Sequence, residues 1–156
     1  MKVCLCASGG GHLEQINQLR MVKDNYDYFY VIQKTVVTKN ITEKSYFMLE
    51  NTKDKKALFV LRSFINLYKS IRVMIKEKPD VVICTGAGAM IPMCYVTKLF
   101  RKKLIFIESF EKISSPTSTG KIVYPIADLF IIQWEELKRE YPKAVIGGSI
   151  YLYLLQ

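Results

Sequence analysis

The chain has 156 residues, 50% of them apolar and 12% aromatic, which excludes a disordered segment and leaves room for one domain, 1–156, with a real core. It is too short to hold two similar α/β halves that close a cleft between them, which need about twice this length. A formal net charge of +9 directs attention to anionic partners such as phosphorylated substrates, acidic lipid or nucleic acid.

Lys2 to Ala7 reads as a buried strand, and Ser8-Gly9-Gly10-Gly11-His12 follows it directly. A bare glycine backbone at a helix start suits a phosphate or pyrophosphate, because the ligand can approach unpaired main-chain amides. The loop is not a Walker P-loop, since no Gly-Lys-Ser/Thr follows. It is not the dinucleotide fingerprint either, because G-x-G-x-x-G is absent and the second strand ends at Gln33 rather than at a ribose-binding acid. A tight strand-to-helix turn without a ligand is the other reading. His12, the only histidine, could act as a base near neutral pH, donate to an oxyanion, or merely orient the loop. Glu14 suits a hydrogen bond to the loop backbone in the first helical turn.

His12 to Lys23 follows helical spacing, with Leu13, Ile16 and Leu19 on one face, and Tyr28 to Gln33 reads as a second strand. Thr35 to Lys56 is polar and mixed, a loop with short structure. Leu58 to Lys76 is the longest helical pattern, with Leu58, Leu61, Ile65, Tyr68, Arg72 and Ile75 along one stripe. It carries Arg62, Lys69, Arg72 and Lys76 within a basic run from Lys53 to Lys78. Two readings stand: a core-facing helix with a solvated basic side, or an interfacial contact with acidic lipid. Nucleic acid is the disfavoured anion, because no helix-turn-helix, zinc site or stacking RNA motif is present.

Pro79-Asp80 introduces a strand, Val81 to Cys84, and Ala89 to Phe100 reads as the next helix. Val81 to Thr97 lacks formal charge, but the turn Thr85-Gly86-Ala87-Gly88 and Pro92 divide it into strand, turn and helix rather than a membrane span. That turn is either a second amide-lined pocket or a simple reversal. Leu104 to Ile107 is a strand ending at Glu108-Ser109. An acid there sits where active-site acids often do, with an ion pair or a cap as the alternative. Ser114 to Gly120 reads as a surface loop, Leu129 to Ile132 as a strand, Glu135 to Tyr141 as a short helix, and Ala144 to Ile146 as a last strand.

Continuously apolar strands alternating with helices predict an α/β, Rossmann-like parallel sheet with helices on both faces. Ligands in such sheets bind beyond the carboxyl ends of the strands, so Ser8 to His12, Thr85 to Gly88 and Glu108-Ser109 are the candidate site. Cys4, Cys6, Cys84 and Cys94 lack zinc or redox spacing and read as buried, reduced thiols of a cytoplasmic protein.

The residues also resemble a family. They are Ser8-Gly9-Gly10-Gly11-His12 with Glu14; Pro79-Asp80 through Gly86 and Gly88; Ile105 to Phe110; Thr119-Gly120-Lys121; Tyr124 to Asp128; Gln133-Trp134-Glu135; and Tyr141-Pro142-Lys143. In this order they resemble the Alg14-like family, the membrane-side subunits of the bipartite UDP-N-acetylglucosamine transferase of dolichol-linked oligosaccharide synthesis. The bacterial relatives are encoded for capsular and exopolysaccharide synthesis.

The resemblance implies the N-terminal half of a GT-B glycosyltransferase, active with a small donor-binding partner that supplies the C-terminal half. It implies transfer of a sugar from a shared UDP-sugar to an undecaprenyl-pyrophosphate-linked acceptor, without cofactor or metal. Ser8 to Gly11, Glu14, Thr85, Gly86, Gly88 and Ser109 would then hold the phosphates or acceptor, and His12 or Glu108 would be the base. The eukaryotic members carry an N-terminal anchor. Here Arg62, Lys69, Arg72 and Lys76, or the partner, are expected to supply attachment to the inner face of the plasma membrane. A non-catalytic enhancer or membrane recruiter of the partner is the alternative.

Overall fold

The computed structural model describes residues 1–36, 38, 41–50 and 56–151. Seven strands among them form one parallel sheet in the order β3-β2-β1-β4-β5-β6-β7. They are β1 (Lys2–Ala7), β2 (Asp27–Gln33), β3 (Ser45–Met48), β4 (Val81–Gly86), β5 (Lys103–Ile107), β6 (Leu129–Ile132) and β7 (Val145–Ile146). The helices are α1 (Gly11–Asn17), α2 (Arg20–Asn25), α3 (Lys56–Glu77), α4 (Ile91–Leu99) and α5 (Ser118–Val123), with 3-10 turns at Gly88–Met90 and Glu135–Arg139.

Side chains alternate across the strands, so each apolar run feeds two cores. Cys4, Cys6, Phe29, Val31, Val82, Cys84, Leu104 and Phe106 pack with Met74 of α3, Met93 of α4 and Val123 of α5. Val3, Leu5, Ala7, Tyr30, Ile32, Ile83 and Ile107 pack with Leu13 and Ile16 of α1 on the opposite face. All four cysteines are free and buried, with Cys6 and Cys84 as register partners on neighbouring strands. No helix among the described residues is long and apolar enough to cross a membrane, and the uncharged stretch from Val81 to Thr97 is divided between β4 and α4.

Four expectations about the type and extent of elements are corrected. The helix from His12 to Lys23 breaks in two. Asn17 accepts the Tyr30 hydroxyl at 2.8 Å, and the chain bends at Leu19 so that Leu19 and Val22 both reach the core. The loop from Thr35 to Lys56 contains β3, which pairs with β2 through Tyr30 to Gln33; Lys53 and Lys55 of the basic run lie outside the described residues. The loop from Ser114 to Gly120 runs into α5, started by Thr117, whose hydroxyl accepts from Gly120 N at 2.8 Å. The helix from Glu135 to Tyr141 is a 3-10 turn.

The largest departure concerns α3. Its buried face is Asn66, Ser70, Val73, Met74 and Glu77, and the stripe of Leu61, Tyr68 and Ile75 looks outward. Asn66 decides this orientation. Its amide bonds both the N–H and the carbonyl of Leu49, at 2.8 and 2.9 Å, pairing the chain that leaves β3 as a further strand would.

Glu77 ends the helix in a buried ionic cluster. Its side chain is 2% exposed and accepts from Lys2 Nζ at 2.6 Å, Lys44 Nζ at 2.8 Å and the Tyr46 hydroxyl. Burial alone would raise its pKa, but these hydrogen bonds outweigh burial and lower it from 4.5 to about 2. The folded value lies below the unfolded one, so the stabilisation is complete above about pH 4.5 and is lost as pH falls toward 2. It amounts to at most about 3 kcal/mol. Glu77→Gln is expected to flatten the acid limb of urea stability measured from neutral pH downward, leaving the slope from Asp80 and Asp128, whose pKa values are also lowered. An acid limb as steep as wild type would remove the assignment.

Candidate active site

The strand ends meet because β1, β4 and β5 are neighbours in the sheet. Ser8 N donates to Gly86 O at 2.7 Å, and the Thr85 hydroxyl donates to His12 O at 2.8 Å, which ties the first loop to the second. Gly86 has φ +104, and a Cβ on it would lie 3.0 Å from His12 Cε1. Glycine is therefore needed twice over, for the left-handed backbone and for the seat of the imidazole. His12 is half-buried, and its Nδ1 is enclosed without a hydrogen-bond partner.

His12, Gly86 and Gly88 open into a cleft of about 490 Å³. Its other walls include Gln33 from β2, Lys112, and Thr117 to Thr119 at the start of α5. Lys112 is the one Lys or Arg side chain lining it among the described residues. Sequence reasoning missed Lys112 and Thr117 to Thr119. The Pro116-Thr117 step, with a hydroxyl three residues before Gly120, was the available signal for a capped helix there.

The remaining candidates do not line this cleft. Ser8, Thr85 and Ser109 are buried, Gly9 packs against Thr35, and Gly10 and Gly11 are exposed beside His12. Glu14 is exposed, and no side-chain hydrogen bond caps α1. Arg62, Lys69, Arg72 and Lys76 lie apart on α3, and Arg62 donates to Glu50 O at 2.8 Å.

Glu108 is 1% exposed, and its carboxylate is filled by its own surroundings. It accepts from Ser109 N at 2.8 Å, Thr117 N at 3.2 Å, the Thr117 hydroxyl at 2.8 Å and the Tyr141 hydroxyl at 2.7 Å. Burial first, then this bond to Glu108, pushes the Tyr141 phenol well above its ordinary value, so it stays a donor. Gln133 Nε2 holds Glu108 O at 2.9 Å, and Trp134 Nε1 holds Phe110 O at 2.7 Å. Glu108 thus fixes the loop after β5, which carries Lys112 and Thr117 to the cleft. Its geometry is that of a positioning residue. No group of three or more His, Cys, Asp or Glu able to hold a metal occurs among the described residues.

A family profile described as "Oligosaccharide biosynthesis protein Alg14 like" matches residues 3–150. The UDP-N-acetylglucosamine transferase subunit ALG14 of Mus musculus is 35% identical over 97 residues, 58% of this chain and 45% of that protein. The matched stretch thus spans less than half the length of that relative. MurG of Acinetobacter baumannii superposes with a TM-score of 0.69 at 14% identity, over 84% of this chain and 40% of that one. UDP-N-acetylglucosamine 2-epimerase from Rickettsia bellii does so with a TM-score of 0.74 at 16% identity, over 99% and 46%. At such identities the likeness is one of fold, and the domain corresponds to the N-terminal half of a GT-B-like architecture.

Proposed function

The chain belongs to the Alg14-like oligosaccharide biosynthesis family, and from that premise we propose that it is the acceptor-side subunit of a bipartite GT-B-type glycosyltransferase. It works with a small donor-binding subunit that supplies the other wall of the cleft. The reaction is transfer of a sugar from a UDP-sugar to an undecaprenyl-pyrophosphate-linked acceptor in capsular or exopolysaccharide synthesis, at the inner face of the plasma membrane. The acceptor hydroxyl attacks the sugar's C1, the C1–O bond to the diphosphate breaks, UDP leaves, and the hydroxyl proton passes to a base. His12 is the candidate base, since it lines the cleft and its Nδ1 is hydrogen-bonded to no other group. Lys112 and the Thr117 to Thr119 segment face the same space and suit an anionic acceptor.

The observation that carries this reading is incompleteness. The chain aligns over 84% and 99% of its length with only 40% of MurG and 46% of the 2-epimerase, which leaves the other half of such an architecture to a partner. Purified chain, its donor-side partner and the mixture should be assayed for sugar transfer to a lipid-linked acceptor. Transfer is expected from the mixture, far above either component; turnover by this chain alone would overturn the proposal.

A second reading, a non-catalytic enhancer or recruiter of the partner, is favoured by Glu108. With that carboxylate fully occupied, no acid among the described residues pairs with His12 Nδ1 to orient and polarise the ring, as acids behind catalytic bases commonly do.

A further inference from the structure

We infer that the outward face of α3 is a bilayer-docking surface whose apolar side chains enter an anionic membrane. The inference rests on the reading of the chain as handling a lipid-linked acceptor, and it goes beyond attachment by charge. Leu61 is 57% exposed, Phe64 66%, Tyr68 61% and Ile75 58%. At 100° per residue they share one stripe about 20 Å long. Isolated exposed apolar residues are ordinary, but four on one face of a single helix, with Arg72 between Tyr68 and Ile75, mark a contact surface.

Cations flank the stripe on the side of β3, and each is held in place. Lys69 Nζ donates to Phe47 O at 2.9 Å, Arg72 lies 5.9 Å from the Tyr68 ring centre, and Lys76 lies 5.5 Å from that of Tyr46. Between α3 and β3 they border a groove of about 710 Å³ lined by Phe47, Met48 and Ile65. An apolar strip beside fixed cations is complementary to a surface with acyl chains below and phosphates above.

The placement also serves the cleft. Phe59, half a turn before Leu61 on the same helix, lines the cleft beside His12. A membrane against α3 would put the cleft mouth at the headgroups, where a lipid-linked diphosphate already lies.

The test is flotation of the full chain with vesicles of phosphatidylglycerol mixed with phosphatidylcholine, and with phosphatidylcholine alone. Wild type is expected on the anionic vesicles. Phe64→Ser with Tyr68→Ser should weaken that binding about tenfold or more at unchanged thermal stability. Lys69→Glu with Arg72→Glu and Lys76→Glu should abolish it, and Met21→Ser, at a 74% exposed position on α2, should leave it intact. Wild-type binding by the Phe64/Tyr68 variant overturns the proposal. So does failure of wild type to bind vesicles while self-associating, in sedimentation, through the same stripe. Transfer to a short-chain, water-soluble acceptor by the mixture reads the functional proposal separately, because the α3 variants should retain it.

Discussion

Glu108→Ala is expected to unfold the chain at markedly lower urea, with a loss of about 3 kcal/mol or more. The carboxylate accepts the buried Tyr141 hydroxyl, and it also takes the Thr117 hydroxyl and two backbone N–H groups. Removing it strands buried donors, each costing about 1–3 kcal/mol when left unsatisfied. Gly120→Ala attacks the same point from the other side, since a Cβ there would collide with Glu108 Oε2 and the Tyr141 hydroxyl. Overpacking of that kind costs about 1–3 kcal/mol, and the hydrogen bonds that hold the Glu108 carboxylate resist its moving aside. Urea midpoints at unchanged slope measure both. A Glu108→Ala chain as stable as wild type yet inactive with its partner would return Glu108 to the chemistry and remove the positioning role.

The parallel sheet was legible because its strands are buried on both faces. Val3 to Ala7, Tyr28 to Ile32, Val81 to Cys84 and Leu104 to Ile107 are unbroken runs that a surface strand would not tolerate. The meeting of Ser8–His12, Thr85–Gly88 and Glu108–Ser109 followed from parallel topology alone, since every carboxyl end lies on one edge. The short β3 was hidden, because an edge strand of four residues inside a polar segment has too little pattern to read. The facing of α3 was misleading for a different reason. Its inward side uses Asn66, Ser70 and Glu77, each satisfied by a partner distant in sequence or by its own helix, so the apolar stripe was free to face out. Lys112 and Thr117 were invisible as site residues because the fold of an irregular loop, set by Glu108, brings them to His12's cleft.

His12→Ala, in the chain paired with its donor-side partner, is expected to lower kcat about 10²- to 10⁴-fold, the range for loss of a general base, with the acceptor KM little changed. The neighbouring glycine offers an independent handle. Gly86→Ala would place a methyl 3.0 Å from His12 Cε1 on a backbone that a side chain strains, so the ring must shift without being removed. If His12 acts on the acceptor hydroxyl, both variants lose kcat, and Gly86→Ala loses less. An enhancer behaves otherwise: its contribution is assembly, so His12→Ala would form the complex and turn over at the wild-type rate. Measuring complex formation beside kcat separates the two, because Thr85 and Ser8 tie the loops together through the main chain and do not need the imidazole.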